Sequence, residues 1–350
     1  MSRRRCVGTA GKSIERMEVD AKSRIETDID YERPGKQVGW LYLPHSVTRS
    51  AYGNISIPAA VVKNGQGPTA LFMAGNHGDE YEGQVALCKL IRALEPGAIN
   101  GRVIILPAVN LPAALSGERV SPIDGGNLNR AFPGDPDGTV TQQIAHYVDT
   151  VLFPLADLVH DLHSGGSSLD YLPFASIHHG SDEALNNRGL AALAAFGAPL
   201  SLVWKTHQDP RYAPIAAMKR GAVSLAGEFG GCGSLNSENL KLLERGLRNL
   251  LVHLGIVEGL IAAAPTRFIE VPGRSYFVYA PDAGLFEAFS RLGDRVEAGQ
   301  ACGQVHFVDN PGREPVPCSF RAAGIVVCKR HPGRVERGDC VAHLAIDPGA

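Results

Sequence analysis

Two short segments far apart in the chain carry residues of the kind that hold a catalytic metal: Gly75-Asn76-His77-Gly78-Asp79-Glu80 and Asp161-Leu162-His163-Ser164-Gly165-Gly166. His77 and Glu80 stand three apart, so one tight turn can aim an imidazole nitrogen and a carboxylate oxygen at a single cation, and His163 completes the set. Two nitrogens and one carboxylate match a three-ligand zinc site, one zinc per chain, with the fourth tetrahedral position left for water. That open position is what separates a hydrolytic zinc from a structural one. The chain holds 12 His and 36 Asp plus Glu, enough for an H-x-x-E to arise by accident, so the context must decide.

The context is that of an α/β sheet. Residues 69–74 read as a buried strand, His77 and Glu80 follow its end, and a helix near 80–94 comes next. Residues 156–162 form a mostly apolar run that delivers His163. Both sets therefore fall just past the carboxyl ends of strands, where open α/β sheets bind ligands; loop histidines satisfied by their neighbours are the alternative. Further strands are predicted near 38–43, 55–62, 102–109, 171–177, 200–204 and 222–228, and helices near 141–153, 183–196 and 237–254. The last helix is the clearest, with Leu240, Leu243, Leu247, Leu250 and Leu254 forming one stripe and Gly255 stopping it. Residues 111–138 are rich in Pro and Gly without periodicity, and a connection that long is usually functional.

With 350 residues, 44% hydrophobic and 20% charged, the chain suits about two domains of a globular protein. A net charge of −2 gives no general attraction for nucleic acid or an anionic membrane, and no apolar run has the length of a membrane span. Arg3-Arg4-Arg5 is followed by small and polar residues, so a secretory leader is not expected, and residues 1–30 read as an arm. Seven scattered cysteines without a C-x-x-C fit reduced thiols and a cytoplasmic location. Cys232, in a glycine-rich loop, has no sequence neighbour to activate it as a nucleophile.

After Pro265 the pattern changes to short β-like runs punctuated by Gly and Pro, which sets a catalytic domain over 31–265 and a β domain over 266–350. The β domain repeats itself: Ala283-Gly284-Leu285 answers Ala323-Gly324-Ile325, and residues 293–299 answer 333–338. Two similar halves suggest a small pseudo-twofold barrel, similar to the barrel-sandwich hybrid of lipoyl and biotinyl carriers. A carrier needs an attachment lysine, yet none lies between Lys241 and Lys329, so a wall or lid is the better expectation.

Four motifs in order, Gly75 to Glu80, Asn127-Leu128-Asn129-Arg130, Asp161-Leu162-His163 and Gly227-Glu228-Phe229-Gly230-Gly231, resemble the succinylglutamate desuccinylase and aspartoacylase family, a branch of the zinc carboxypeptidase fold. The resemblance spans about residues 30–350 and implies a mixed sheet flanked by helices. It implies zinc on His77, Glu80 and His163, and a catalytic glutamate at Glu228 that takes a proton from water and passes it to the leaving amine. Arg119, Asn129 and Arg130 fall where the family places its anion-handling groups. An Arg fork binds a carboxylate with fixed orientation, which fits Arg130 with Asn129 to an amino-acid α-carboxylate, and Arg119 to the developing oxyanion. The family's usual N-P-x-A segment is replaced by Asn110-Leu111-Pro112-Ala113-Ala114.

Within the family the long form resembles the ectoine-degradation deacetylases that act on N-alpha-acetyl-L-2,4-diaminobutyrate. The expected partner is a small N-acyl amino acid, and a homo-oligomer is left open. Asp79, Glu82, Asp124 and Asp170 are the candidates for a substrate ammonium. His178, His179 and Asp182 either flank the cleft, cap a helix or form a second metal pair, and Trp204 and His207 either line the pocket or do not. The alternatives are a deacylase of acidic N-acyl amino acids, a peptide-trimming carboxypeptidase, or a catalytically silent binding or carrier protein.

Overall fold

A computed structural model describes residues 23–206, 208–262 and 264–349. Of the arm expected over residues 1–30, residues 1–22 lie outside the described residues. Within the remainder of that stretch Ile25 and Ile29 are buried, and strand β1 (Glu26–Thr27) pairs with β2 (Gly35–Pro44).

The chain continues through β3 (Asn54–Asn64), β4 (Thr69–Ala74), α1 (Tyr81–Ala93), β5 (Gly101–Leu106), α2 (Leu111–Ser116), α3 (Val140–Tyr147) and β6 (Leu158–His163). Then come β7 (Leu169–Tyr171), β8 (Phe174–His178), α4 (Glu183–Phe196), β9 (Leu200–Trp204), α5 (Ala213–Lys219), β10 (Val223–Glu228), α6 (Ser237–His253) and β11 (Arg267–Glu270). Ten strands form one mixed sheet in the order β1-β2-β3-β5-β4-β6-β10-β8-β9-β11. Its middle, β5-β4-β6-β10, is parallel. Strands β4, β5 and β6 are buried along their whole length; β4 is almost wholly apolar, as such burial favours, whereas β5 carries Arg102 and β6 carries His160, Asp161 and His163.

Helices cover both faces. On one face α1, α4 and α6 bring Leu87, Phe196, Leu243 and Leu247 against Phe72 and Leu225. On the other, α3 and α5 bring Ile144, Ala216 and Ala217 against Leu71, Met73 and Val159. Because side chains alternate along a strand, Asp161 and His163 share a face of β6, and their partners Ala226 and Glu228 share the same face of β10.

Short helices escape hydrophobic periodicity. Helix α2 lies inside the stretch read as loop, started by Pro112 in its first turn and closed by Gly117 with φ 65°. Helix α5 likewise begins with Pro214. The strand expected over 171–177 is divided at Leu172-Pro173: β8 joins the large sheet, while β7 pairs with a strand of the C-terminal part. Helix α3 ends earlier than expected, and its continuation winds more loosely over Val148–Leu152.

The large sheet takes β11 from beyond the boundary expected at 265. After it, β12 (Phe277–Tyr279), β13 (Gly284–Ala288), β14 (Arg295–Val296), β15 (Ala301–His306), β16 (Val316–Ser319), β17 (Gly324–Arg330), β18 (Arg334–Val335) and β19 (Cys340–Ala345) build two antiparallel sheets. Their orders, β12-β19-β17-β14 and β16-β15-β13-β18, are the same path with the halves exchanged, as the sequence repeat implies. A shared apolar cluster of Phe174, Leu202, Ile269, Ile325, Val327 and Ala345 joins this part to the large sheet.

Leu247 is fully buried where α6 meets the sheet, and Leu247→Ala is expected to lower unfolding stability by about 2–5 kcal/mol. Urea denaturation of the two proteins checks it; a loss below about 1 kcal/mol would mean that α6 is not part of the core.

Candidate active site

Strands β4, β6 and β10 are parallel neighbours, and their carboxyl ends deliver the polar groups to one place. Beyond β4 the chain turns through Gly75–Asp79 into α1. Gly78 packs so closely on α2 that an added Cβ would lie 1.9 Å from the Ala113 carbonyl oxygen, which no side chain permits. Glu80 is the N-cap of α1 but caps no backbone N–H of the helix; its carboxylate is spent on the histidines instead.

Glu80 Oε1 lies 2.7 Å from His77 Nδ1, and Glu80 Oε2 lies 2.8 Å from His163 Nδ1. The Ser164 N–H donates to Oε2 at 3.2 Å and Arg119 donates to Oε1 at 3.3 Å. On their far sides, His77 Nε2 donates to Asn127 Oδ1 (3.1 Å) and His163 Nε2 to Asp161 Oδ2 (2.8 Å). Asn76 in turn donates to the same Asp161 oxygen at 3.0 Å. With each Nε2 hydrogen turned outward, both Nδ1 lone pairs face carboxylate oxygens. Acceptors held against acceptors at this separation need positive charge between them, a proton or a cation. The three residues could hold a metal ion, and among the described residues no other group of three His, Cys, Asp or Glu converges in this way.

The charges follow. Burial alone would raise the Glu80 carboxyl, but His77 and His163 drive it well below the usual carboxylate range. Burial pushes His77 below its ordinary value, more than Glu80 raises it. For His163 burial is outweighed by the Asp161 and Glu80 carboxylates, which raise it well above ordinary. A metal ion bound through His163 Nδ1 would displace a proton held there.

Glu228 ends β10 directly beside His163 in register. Burial and the neighbouring Glu80 push its carboxyl up to about 8, and its Oε2 has no hydrogen-bond partner among the described residues. A bound cation would pull that value down.

All seven residues expected from the sequence, His77, Glu80, His163, Glu228, Arg119, Asn129 and Arg130, line one cavity of about 420 Å³. Arg130 lies over the Tyr212 ring at 4.3 Å and donates to the Asn129 carbonyl at 2.7 Å. Asn129 Oδ1 accepts from the first N–H of α5, from Ala213, at 2.9 Å. His178 and Trp204 also line the cavity and stack on each other, Asp182 caps α4 by accepting from Leu185, and His207 lies outside the described residues. Cys232 is raised to about 11 by burial and Asp170, which keeps it a thiol.

None of the four carboxylates expected to meet a substrate ammonium reaches the cavity. Asp79 accepts from Ser167 N and Oγ, both at 2.8 Å, Glu82 accepts from the Asn236 N–H, and Asp124 holds Thr141. The Asp170 carboxylate is hydrogen-bonded with the Cys232 thiol. Sequence reasoning did not single out Tyr171, Tyr212 or Phe277, and it named Asn127 in a motif without a role. Asp161 was within reach, because it stands two residues before His163 on a strand and so must share its face.

Residues 66–254 match the profile of the succinylglutamate desuccinylase/aspartoacylase catalytic domain. The chain belongs to this family. Its members are hydrolases that act on N-acyl amino acids. Over 325 residues, 92% of this chain and 95% of the relative, it is 43% identical to the N-alpha-acetyl-L-2,4-diaminobutyric acid deacetylase of Halomonas elongata. Among solved structures, a succinylglutamate desuccinylase/aspartoacylase from Rhodobacter sphaeroides is 44% identical with TM-score 0.89, covering 93% of this chain and 100% of that one. The product-bound ectoine utilization protein EutE (DoeB) from Ruegeria pomeroyi is 43% identical with TM-score 0.90 over the same shares.

If Asp161 and Asn127 orient the two imidazoles, Asp161→Asn should weaken zinc affinity by about tenfold to a hundredfold. Competition against a chelating dye measures this without reference to turnover. Unchanged affinity would show that His163 needs no partner behind it.

Proposed function

We propose that this family member is a zinc-dependent deacetylase of N-alpha-acetyl-L-2,4-diaminobutyrate. The observation that carries the reading is that a His-Glu-His set, a buried carboxylate and two arginines line a single cavity; the 43% identity to the Halomonas elongata deacetylase supplies the substrate.

His77, Glu80 and His163 would hold the zinc through Nδ1, a carboxylate oxygen and Nδ1. Zinc supplies Lewis acidity there, polarising a carbonyl and bringing the acidity of water toward neutrality. Arg130, braced on Tyr212, receives the α-carboxylate of the substrate through its guanidinium fork, and Asn129 supplies a side-chain amide beside it. Arg119, whose side chain is 45% exposed at the cavity rim, turns from Glu80 toward the oxyanion that develops at the scissile carbonyl. Glu228 accepts the proton of the attacking water and delivers it to the departing α-nitrogen, since an unprotonated amine leaves very poorly. Phe277, from the C-terminal β part, closes one side of the cavity, which suits a small substrate better than a peptide.

Two outcomes test this. Glu228→Gln keeps the shape and removes the base, so kcat should fall at least about a hundredfold while zinc content, measured by atomic absorption, stays the same. Retained turnover would assign the base elsewhere, and full activity after exhaustive chelation would remove zinc from the reading. Second, a free-amine assay should rank N-alpha-acetyl-diaminobutyrate above N-acetyl-aspartate and N-succinyl-glutamate. Preference for either acidic substrate would move the chain to the desuccinylase or aspartoacylase activity with the same centre.

A further inference from the structure

The cavity has a floor that the mechanism leaves unused. Strands β10 and β8 are antiparallel, with Glu228 opposite Phe174 and Ala226 opposite Ser176. Residues two apart on a strand face the same way about 7 Å from each other. Ala226 therefore lies directly beneath Glu228, and Ser176 beneath Phe174, and both line the cavity. Larger residues bound these two small ones along the strands: Phe174 above, and below them His178, with Trp204 beside it across β8 and β9. Beneath the base there is a pit.

A continuous wall leads into it. Arg130 lies on the Tyr212 ring, the Tyr212 ring is 6.2 Å from His178, and His178 follows Ser176 on the same face of β8. Arg119 instead reaches Glu80, at the metal end of the cavity. The α-carboxylate at Arg130 and the side chain of an amino acid hang from the same carbon, so the group led down this wall is the side chain. The acyl group stays at the Glu80 end.

Resting on the deacylase reading, we infer that the pit floored by Ala226 and Ser176 is the subsite for the substrate's side chain, selecting a short chain that ends in a hydrogen-bond donor such as a primary ammonium or a hydroxyl. Hydroxyl oxygens accept from such donors, and Ser176 and Tyr212 supply them. Among the described residues the cavity's cations are Arg119, engaged with Glu80, and Arg130, which lies outside the floor on the Tyr212 ring, so a carboxylate side chain at Ala226 and Ser176 would lose its water without gaining a cation. The closed floor stops a long chain. This also accounts for a cavity in which Asp79, Glu82, Asp124 and Asp170 take no part.

The test uses Ala226→Val, which fills the pit, and Ser176→Ala, which removes only the hydroxyl. Values of kcat/KM are measured for N-acetyl-glycine, N-acetyl-2-aminobutyrate and N-alpha-acetyl-diaminobutyrate, and for N-propionyl-glycine. Ala226→Val should lower the diaminobutyrate-to-glycine ratio by at least about tenfold. Ser176→Ala should lower the diaminobutyrate-to-aminobutyrate ratio by about fivefold or more, because only the first substrate offers a donor to the hydroxyl. Circular dichroism and zinc content matching the native protein show that the variants are folded. Ratios within twofold of native in both variants would overturn the proposal. So would an Ala226→Val variant that instead discriminates between acetyl and propionyl, since the pit would then hold the acyl group. If the native protein cleaves none of these amides, the deacylase reading fails by itself. The subsite is then read from calorimetric binding of free 2,4-diaminobutyrate against glycine to the native protein and the two variants, and equal preference in all three overturns it.

Discussion

The site depends on one buried carboxylate being shared by two imidazoles. Glu80 is fully buried, faces His77 and His163 from its two oxygens, and stands at the start of a helix where a shorter capping residue would be the ordinary choice. Such a cluster is tolerated only if every outward atom is tied down. Asn127, Asp161 and the Ser164 N–H do that, and Asn76 holds Asp161 in turn. Parallel pairing of β4, β6 and β10 makes the arrangement reproducible, because it brings the ends of all three strands level. Opposed demands on neighbouring groups follow from the same crowding: Glu80 is kept ionised by the rings it faces, while Glu228, one strand away, is pushed the other way by Glu80.

Much of this could be read from the chain before any coordinates. A fully buried strand such as β4 is an almost wholly apolar run, β6 departs from that only at His160, Asp161 and His163, and ligands at the end of such strands have little freedom in where they go. Leu240, Leu243 and Leu247 announce α6 because a helix of that length repeats its stripe several times. Helices α2 and α5 turn too few times to repeat anything, and only the prolines in their first turns mark them. The division between β7 and β8 turns on Pro173 and on a partner strand more than a hundred residues downstream, which no local pattern reports.

The polar residues separate in the same manner. Ligands and arginines were legible as types in motifs, but direction was not. Asp79 stands beside Glu80 in sequence and points toward Ser167, away from the cavity. Nearness in sequence to a motif places a backbone, and the side chain then goes wherever its hydrogen bonds are. Phe277 and Tyr212 were beyond reach for a different reason, since each enters the cavity only because a separate element docks there.

Strand β7 begins soon after His163, before Glu228 has been made, yet its partner β17 is made only after every strand of the large sheet. A growing chain can assemble β4, β6 and β10 with their helices once α6 has emerged, but Leu169–Tyr171 must then wait without a partner on that edge until residues 324–330 arrive. The cavity wall is thus finished last, by a segment whose own sheet also needs β19. Completion of this edge of the pocket therefore reports that synthesis has passed residues 324–345, well after the strands that carry the polar cluster have been made.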